Sequence, residues 1–246
     1  MVTRQRNEAS DTEFWATRLL PCPYLPDRQE RKVLTQLQPP NGTTLYDLLA
    51  RNGFRRSHNW AYRPQCPGCV ACVPVRVCVQ DFIETRNMRR VRRANADLTA
   101  VWQAPTATEE QYAMFSAYVQ ARHADGDMSD MTWDQYRSMI EDAPVRTGVV
   151  EWRDPKGTLR GAMLTDLLSD GASAVYSFFD PADANRSPGT FMVLDAVTGC
   201  RTQQLAYLYL GYWVEGSPKM AYKSRFQPME ALGAAGWAPM IAGEKR

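Results

Sequence analysis

The sequence has no long apolar run and very few histidines, and both absences narrow its function. No stretch of the 246 residues approaches the roughly 20 consecutive apolar residues of a membrane-spanning helix. Residues 1–12 lack the apolar segment of a secretory signal peptide, so we expect a cytoplasmic protein with no membrane partner. The histidines are His58 and His123, and neither lies in a His-x-x-x-His pattern that would predict a hydrolytic metal centre.

Several common catalytic motifs are also missing. The chain has no Gly-x-Ser-x-Gly nucleophile elbow, no Gly-x-x-x-x-Gly-Lys phosphate loop and no Gly-x-Gly-x-x-Gly dinucleotide motif. These absences exclude most classes of enzyme. They favour a reaction in which the substrate arrives already activated, while the protein supplies positioning, a polar clamp and at most one proton acceptor.

Lysine and acidic residues are scarce in residues 51–93, where arginine is abundant. This segment contains ten arginines, no lysine and only two acids, Asp81 and Glu84. Its densest part holds Arg86, Arg89, Arg90, Arg92 and Arg93. Guanidinium groups form two-pronged pairs with phosphate or carboxylate, and such a density is typical of a strip that contacts phosphates. The strip therefore predicts an RNA-binding surface, with a solvated helix face as the alternative.

Disulfides are not expected, because the cysteine spacing suits free thiols in a reducing compartment. Cys66, Cys69 and Cys72 follow one another at Cys-x-x-Cys spacing, and Cys22 or Cys78 could complete a set of four thiolate ligands. A second Cys-x-x-Cys pair is absent, because Leu25 stands where Cys22 would need its partner. We expect that no cofactor is required. A metal ion or iron–sulfur cluster at Cys22, Cys66, Cys69 and Cys72 and a simple stripe of packed thiols both stay open.

The second half of the chain has regular secondary-structure signals. Thr108-x-x-Gln111 and Thr132-x-x-Gln135 are capping boxes that predict two helices. Residues 147–153, 158–168 and 172–180 alternate with tight turns and predict an antiparallel meander. Ser187 and Pro188 predict the start of a helix over 188–203, which a strand over 205–214 and a last helix follow.

The predicted strand over 172–180, helix over 188–203 and strand over 205–214 form a crossover connection. Such a connection makes the two strands parallel neighbours in the sheet. The pattern resembles the acetyltransferase-like (GNAT-like) N-acyltransferase fold, an α+β fold with a mixed, mostly antiparallel sheet flanked by helices. In that fold the acyl donor binds where the third meander strand and the crossover strand splay apart. We expect a Cys- and Arg-rich N-terminal region over 1–103 and the acyltransferase domain over 104–246. Residues 186–190 begin a coenzyme A turn, but Phe191 would crowd the pyrophosphate.

Together, five motifs resemble the arginyl-tRNA–protein transferase family. They are Tyr62-Arg63-Pro64, Val73-Pro74-Val75-Arg76, Tyr176-x-Phe178-x-Asp180-Pro181, Tyr209-Leu210-Gly211-Tyr212-Trp213 and Lys219-Met220-x-Tyr222-Lys223-x-x-Phe226-x-Pro228. The resemblance covers about residues 14–232. It is strongest to the short bacterial leucyltransferase branch, because Leu25 stands where arginyl-transferring members carry a cysteine. That branch moves leucine from leucyl-tRNA onto proteins that begin with Asp or Glu, which marks them for degradation.

The resemblance also implies roles for particular residues. A protein α-amine has a pKa of about 8, so a useful fraction is neutral at pH 7 without a strong base. Tyr176 and Asp180 are expected to orient or deprotonate this amine. The residues expected to bind the acceptor are Arg76, Lys223, Arg225, Tyr62, Arg63, Cys22, Cys66 and Cys69. Those expected to bind the donor are Tyr209, Tyr212, Trp213, Lys219, Tyr222 and Phe226, and Arg86, Arg89, Arg90, Arg92 and Arg93 are expected to bind tRNA.

Three alternatives stay open on the sequence alone. Arginine could be the transferred amino acid, since spacing does not reveal the shape of a pocket. The same fold could serve a coenzyme A-dependent N-acetyltransferase. A binding module without catalysis would use the cysteines for a structural metal and the arginines to hold RNA.

Overall fold

The computed structural model describes residues 12–240 except 124, 125 and 127. The strands are β1 (Trp15–Ala16), β2 (Leu20–Pro21), β3 (Gln29–Glu30), β4 (Lys32–Gln36), β5 (Arg55–Ser57), β6 (Trp60–Pro64), β7 (Val73–Cys78), β8 (Thr99–Gln103), β9 (Thr147–Arg153), β10 (Leu159–Leu167), β11 (Gly171–Phe179), β12 (Tyr207–Trp213), β13 (Met229–Gly233) and β14 (Gly236–Pro239). The helices are α1 (Gly42–Arg51), α2 (Arg86–Ala94), α3 (Glu109–His123), α4 (Trp133–Glu141) and α5 (Pro188–Thr202). Residues Pro181–Arg186 and Ala221–Arg225 form 3-10 helices.

One large sheet organises these elements. Its strand order is β14-β13-β7-β12-β11-β10-β9-β8, and β11 with β12 is its parallel pair. The predicted meander is therefore confirmed as β9–β10–β11, and the predicted crossover runs through α5 to β12. A four-stranded sheet (β1-β4-β6-β5) and the pair β2-β3 complete the strands. The predicted α+β, acetyltransferase-like architecture is confirmed.

Local signals explain where the helices begin. The side chains of Thr108 and Thr132 each accept a hydrogen bond from the backbone N–H three residues later. In return, the side-chain oxygens of Gln111 and Gln135 accept one from the backbone N–H of Thr108 and Thr132. Both predicted capping boxes are therefore present, and each satisfies N–H groups that would otherwise lack a partner. The predicted start of the helix after Ser187 is confirmed, because α5 begins at Pro188 with Ser187 at the N-cap position, although Ser187 is left-handed (φ 55°) and its side chain makes no capping hydrogen bond.

The segment after β12 differs from the predicted last helix. It forms a short 3-10 helix and then the hairpin β13–β14. Met229–Ala231 pair antiparallel with Val75–Val77 of β7, and both Met229 and Ala231 are buried. Pairing across the chain thus decides the structure of a segment whose local pattern is ambiguous.

Alternate residues along the strands face two different layers. On one face, α3 and α4 pack Phe115 and Tyr136 against Phe178. On the opposite face, α5 and α2 pack Leu194 and Val91 around Met163. The four-stranded sheet and α1 cover the first face beside α3, with Tyr46 and Ala61 against Tyr209. Within the described residues, no helix is both long and apolar enough to cross a membrane.

The large sheet takes strands from both sides of the expected division after residue 103. β7 lies between β12 and β13, and β8 forms the edge next to β9. The division into 1–103 and 104–246 stays a prediction about regions of the sequence. The strand that carries Arg76 is an interior strand of the large sheet.

Candidate active site

The parallel strands β11 and β12 separate after a short pairing. They pair at Gly171–Tyr207, Ala172–Leu208 and Ser173–Tyr209, after which both strands continue unpaired with each other. Each strand has an irregularity next to this point. Val175 lacks an opposite residue in the β10–β11 register, and Leu210 lacks one in the β12–β7 register. Such bulges bend and twist a strand, which explains the opening. The expected splay is therefore present.

A guanidinium group lies in the opening. Arg55 on β5 donates from Nη2 to the carbonyl oxygens of Ala174 (2.9 Å) and Val175 (2.8 Å). Gly211 on β12 has a φ of 75°, and a methyl group at this position would overlap the Arg55 guanidinium. Glycine is required at this position of the Tyr-Leu-Gly-Tyr-Trp motif for two reasons. It adopts the left-handed backbone conformation without strain, and its lack of a side chain lets the Arg55 guanidinium approach closely.

Lys223 lies beside Arg55 and is buried. Its Nζ donates to the carbonyl oxygen of Tyr212 at 2.7 Å. Burial, together with the positive charge of Arg55, lowers the pKa of Lys223 from 10.5 to about 7. Lys223 was expected to bind the acceptor as a fixed cation. With its pKa lowered to about 7, Lys223 carries only part of a charge at neutral pH, and its expected contact with the acceptor stays a prediction.

Tyr176 and Asp180, the expected catalytic pair, occupy different environments. Tyr176 is on the part of β11 that does not pair with β12, with its ring 5.9 Å from that of Phe115, and burial raises the pKa of its hydroxyl. It therefore keeps its proton at neutral pH. Asp180 follows β11 and accepts from the N–H of Ala182 (3.0 Å) and from Arg160 (3.1 Å). These bonds stabilise the start of the 3-10 helix, and a catalytic role for either residue stays a prediction.

Arg76 lies at the closed end of the β11–β12 pair. It donates to Glu230 (2.8 Å) and to the hydroxyl of Tyr209 (2.9 Å), which itself donates to Asp170. The rings of Tyr207 and Trp237 lie 3.4 and 4.2 Å from its guanidinium carbon. Its charge is therefore balanced within the protein, which favours a structural role. Its expected contact with the acceptor stays a prediction.

The other residues expected to bind substrates divide between core and surface. Tyr209, Tyr212 and Phe226 are buried, whereas Lys219, Tyr222, Arg225 and Arg63 are exposed, and Trp213 and Tyr62 are half-buried. The Tyr212 hydroxyl donates to the carbonyl oxygens of Gly53 (2.8 Å) and Tyr62 (3.1 Å). Stacking on a terminal adenosine needs an open ring face. Among the residues expected to bind the donor, Trp213 and Tyr222 have more exposed ring surface for stacking on an adenosine than Tyr209, Tyr212 and Phe226 have.

The expected thiol cluster is half-buried. Burial, together with the nearby thiols of Cys66, Cys22 and Cys69, raises the pKa of Cys72 to about 12. Thiolates bind soft metal ions, but among the residues with a described position no three Cys, His, Asp or Glu side chains are arranged to hold one. Cys66 instead accepts from the N–H of Arg31 at 3.5 Å. A metal ion or cluster at these cysteines stays a prediction, which metal analysis of the purified protein would test.

The predicted arginine strip is helix α2. Arg86, Arg89, Arg90 and Arg93 are exposed, and their spacing places them on one side of the helix. Arg92 differs from these four arginines, because its side chain contacts the protein, and its expected contact with tRNA stays a prediction. It pairs with Glu84 (2.5 Å) and donates to the carbonyl oxygen of Leu194 (3.1 Å), so it anchors α2 on α5.

The C-terminal end of α2 lies against the segment that leaves the open strand. Asn95 donates to the carbonyl oxygen of Arg186 (2.9 Å), and Arg186 donates to that of Ala94 (2.8 Å). Arg186 ends the 3-10 helix that begins directly after β11. The helix that carries the exposed arginines, α2, is thus connected to the 3-10 helix after β11 by the contacts of Ala94 and Asn95 with Arg186.

The comparisons with known proteins agree with these observations. Models of the arginine-tRNA-protein transferase N terminus and C terminus match residues 20–90 and 110–233. Aspartate/glutamate leucyltransferases of Paramagnetospirillum magneticum and Nitrobacter hamburgensis are 49% and 50% identical, over 94% and 95% of this chain and 95% and 94% of theirs. L-PGS from Bacillus licheniformis has a similar fold (TM-score 0.51, 9% identity) over 71% of this chain and 61% of that chain. The chain therefore belongs to the arginine-tRNA-protein transferase family.

Proposed function

We propose that this chain transfers leucine from leucyl-tRNA to the α-amine of proteins that begin with Asp or Glu. The observation that carries the proposal is the identity of about half of all residues with aspartate/glutamate leucyltransferases, over more than nine-tenths of both chains. The splay between β11 and β12 supports it, because this opening is where an acyltransferase of this fold would receive its acyl donor.

In the proposed reaction, the neutral α-amine attacks the ester carbonyl carbon of leucyl-tRNA. A peptide bond forms, the bond to the ribose oxygen breaks, and the proton lost by the amine ends on that oxygen. Because the ester is already activated, positioning supplies most of the rate. The protonated hydroxyl of Tyr176, on the open part of β11, is suited to donate a hydrogen bond rather than to act as a base.

Helix α2 is the proposed contact for the acceptor stem of the tRNA. Arg86, Arg89, Arg90 and Arg93 present exposed guanidinium groups to the solvent side of the molecule. Phosphate contacts of this kind release counterions, so binding weakens as salt increases. The proximity of the C-terminal end of α2 to Arg186 supports delivery of the tRNA end towards the splay.

Coenzyme A is a poor alternative donor on this structure. Its pyrophosphate would need free backbone N–H groups at the start of α5. Pro188 has no N–H, Phe191 is buried in the core, and Arg186 is engaged by Ala94 and Asp97. These contacts support aminoacyl-tRNA as the donor.

The deciding experiment offers a mixed pool of charged tRNAs with peptides that begin with Asp, Glu, Lys or Ala, and identifies products by mass. We expect leucine on the Asp and Glu peptides only. Arginine as the main product would support the arginyl alternative. A product formed only with acetyl-coenzyme A would overturn the proposal.

A further inference from the structure

Arg55 differs from Arg56, Arg76 and Arg92 in having no acidic partner among the described residues. Arg56, Arg76 and Arg92 each pair with a carboxylate, from Asp166, Glu230 and Glu84 respectively. Within the described ranges, no carboxylate lies within ion-pair distance of Arg55, and its polar contacts are with two carbonyl oxygens. A half-buried cation without a counter-charge is costly, and binding an anion would offset that cost.

The surroundings of Arg55 hold the guanidinium in place. Its Nη2 donates to Ala174 and Val175, and the missing side chain of Gly211 leaves room for the group between the strands. It lines a small pocket with Ser173, Tyr209, Gly211, Gly53, Phe54, Ala50, Pro74 and Val75. A fixed fork of this kind favours a planar carboxylate over a neutral amide of the same shape.

A second cation increases the attraction for an anion. Arg55 and Lys223 repel each other, and Lys223 likewise has no carboxylate in its described surroundings. A bound carboxylate would reduce this repulsion and favour the charged form of Lys223. The pair therefore forms a basic site beside the point where the strands separate.

We propose that Arg55, with Lys223 beside it, recognises the side-chain carboxylate of the first residue of the acceptor protein. The inference rests on the proposed function. The α-amine must reach the ester within the splay, and a side-chain carboxylate on the same residue lies only a few bonds away from that amine. A phosphate at the tRNA end is a second source of negative charge, and kinetics with both substrates distinguishes the two.

The test measures kcat/KM of the full chain with peptides that begin with Asp or the neutral isostere Asn, and KM for leucyl-tRNA. In Arg55→Gln we expect the preference for Asp over Asn to fall about 30-fold or more, with little change in KM for leucyl-tRNA. Arg55→Lys keeps a charge without the fork and should retain part of the preference. Arg146→Gln, which changes an exposed arginine directly before β9, is the matched control.

Two results would overturn the assignment. One is an unchanged Asp preference in folded Arg55→Gln. The other is a selective rise in KM for leucyl-tRNA, which would assign Arg55 to a phosphate.

If Arg55→Gln does not fold, ¹⁵N NMR of the wild-type guanidinium groups decides, with Arg55→Lys identifying the signal. The Asp peptide should shift that signal, whereas the Asn peptide should not, and equal responses would refute the role. If the wild type transfers leucine to no peptide, the proposed function fails. The NMR titration still tests carboxylate binding independently in that case.

Discussion

The two ends of the β11–β12 pair hold their arginines in opposite electrostatic settings. At the closed end, Arg76 is surrounded by Glu230, Asp170 and aromatic rings. At the open end, the hydrogen bonds of Arg55 to the described residues go to carbonyl oxygens, and Lys223 is a charged neighbour. Where acids accompany an arginine, its charge is used to stabilise the fold. Where no described acid accompanies it, as at Arg55, we propose that the charge recognises a substrate carboxylate.

Adjacent positions on β5 show the same contrast. Arg56 points into the core and forms a fully buried two-pronged pair with Asp166 on β10, at 2.8 and 2.7 Å. Arg55, on the other side of the strand, reaches the splay. The pair Arg56–Asp166 fastens the four-stranded sheet to the large sheet, so it fixes the position from which Arg55 reaches across.

The largest expected effect comes from Arg56→Ala. It leaves the Asp166 carboxylate buried and unpaired, so we expect a loss of about 3–5 kcal/mol in the free energy of unfolding. Denaturant unfolding of wild type, Arg56→Ala and the exposed control Arg146→Gln measures it. A loss no greater than that of the control would mean that the buried pair does not fasten the two sheets.

Arg76→Ala should have the next largest effect on stability. It removes the partner of Glu230 and the cation between Tyr207 and Trp237, so we expect a loss of about 2–3 kcal/mol. We also expect KM values for the Asp peptide and leucyl-tRNA to change in parallel. A selective increase in KM for the peptide would instead place Arg76 in the acceptor site and remove the contrast with Arg55.

The charge of Lys223 makes stability depend on pH. Its pKa is lowered from 10.5 to about 7 in the folded chain, so the unfolded chain binds more protons between these values. Stability should therefore rise with pH across this window, by up to about 1.4 kcal/mol per pH unit from this group. Comparing unfolding of wild type and Lys223→Met at pH 7 and 9 isolates the effect. Parallel curves for both proteins would show that Lys223 titrates normally.

The smallest effect on stability is expected for the exposed face of α2. Arg89→Gln, Arg90→Gln and Arg93→Gln combined should raise KM for leucyl-tRNA and flatten its salt dependence, with little change in unfolding. Arg92→Gln is the matched variant, because it loses the pair with Glu84 and should lower stability more than it changes tRNA binding. The same salt dependence in the triple variant and wild type would exclude α2 as the tRNA contact.

Much of the second half of the fold was predictable from local patterns. The capping boxes, the meander turns and the apolar strand at 205–214 are determined by neighbouring residues, and all were found close to their expected bounds. The hairpin β13–β14 was not predictable, because its pairing partner, β7, lies about 150 residues earlier in the chain. The helix α2 was expected as an arginine strip, but only its packing on α5 separated Arg92 from the exposed arginines.

The candidate site was less predictable than the fold. Arg76 and Arg55 both lie on strands, and the sequence does not show that Arg76 pairs with Glu230 whereas Arg55 has no acidic partner among the described residues. A signal was present at Gly211, in a strand that otherwise carries large side chains. A glycine there suggests a close approach by another group, but not which one.

By itself, the sequence determined the order of the elements from α3 to β12, the family and the concentration of positive charge, since these follow from periodicity, motifs and composition. Only the tertiary structure decided which arginines pair with a carboxylate and which have no described acidic partner. The physical reason is that an ion pair forms between side chains that the fold brings together, as it brings together Arg56 and Asp166 of two different sheets, 110 residues apart.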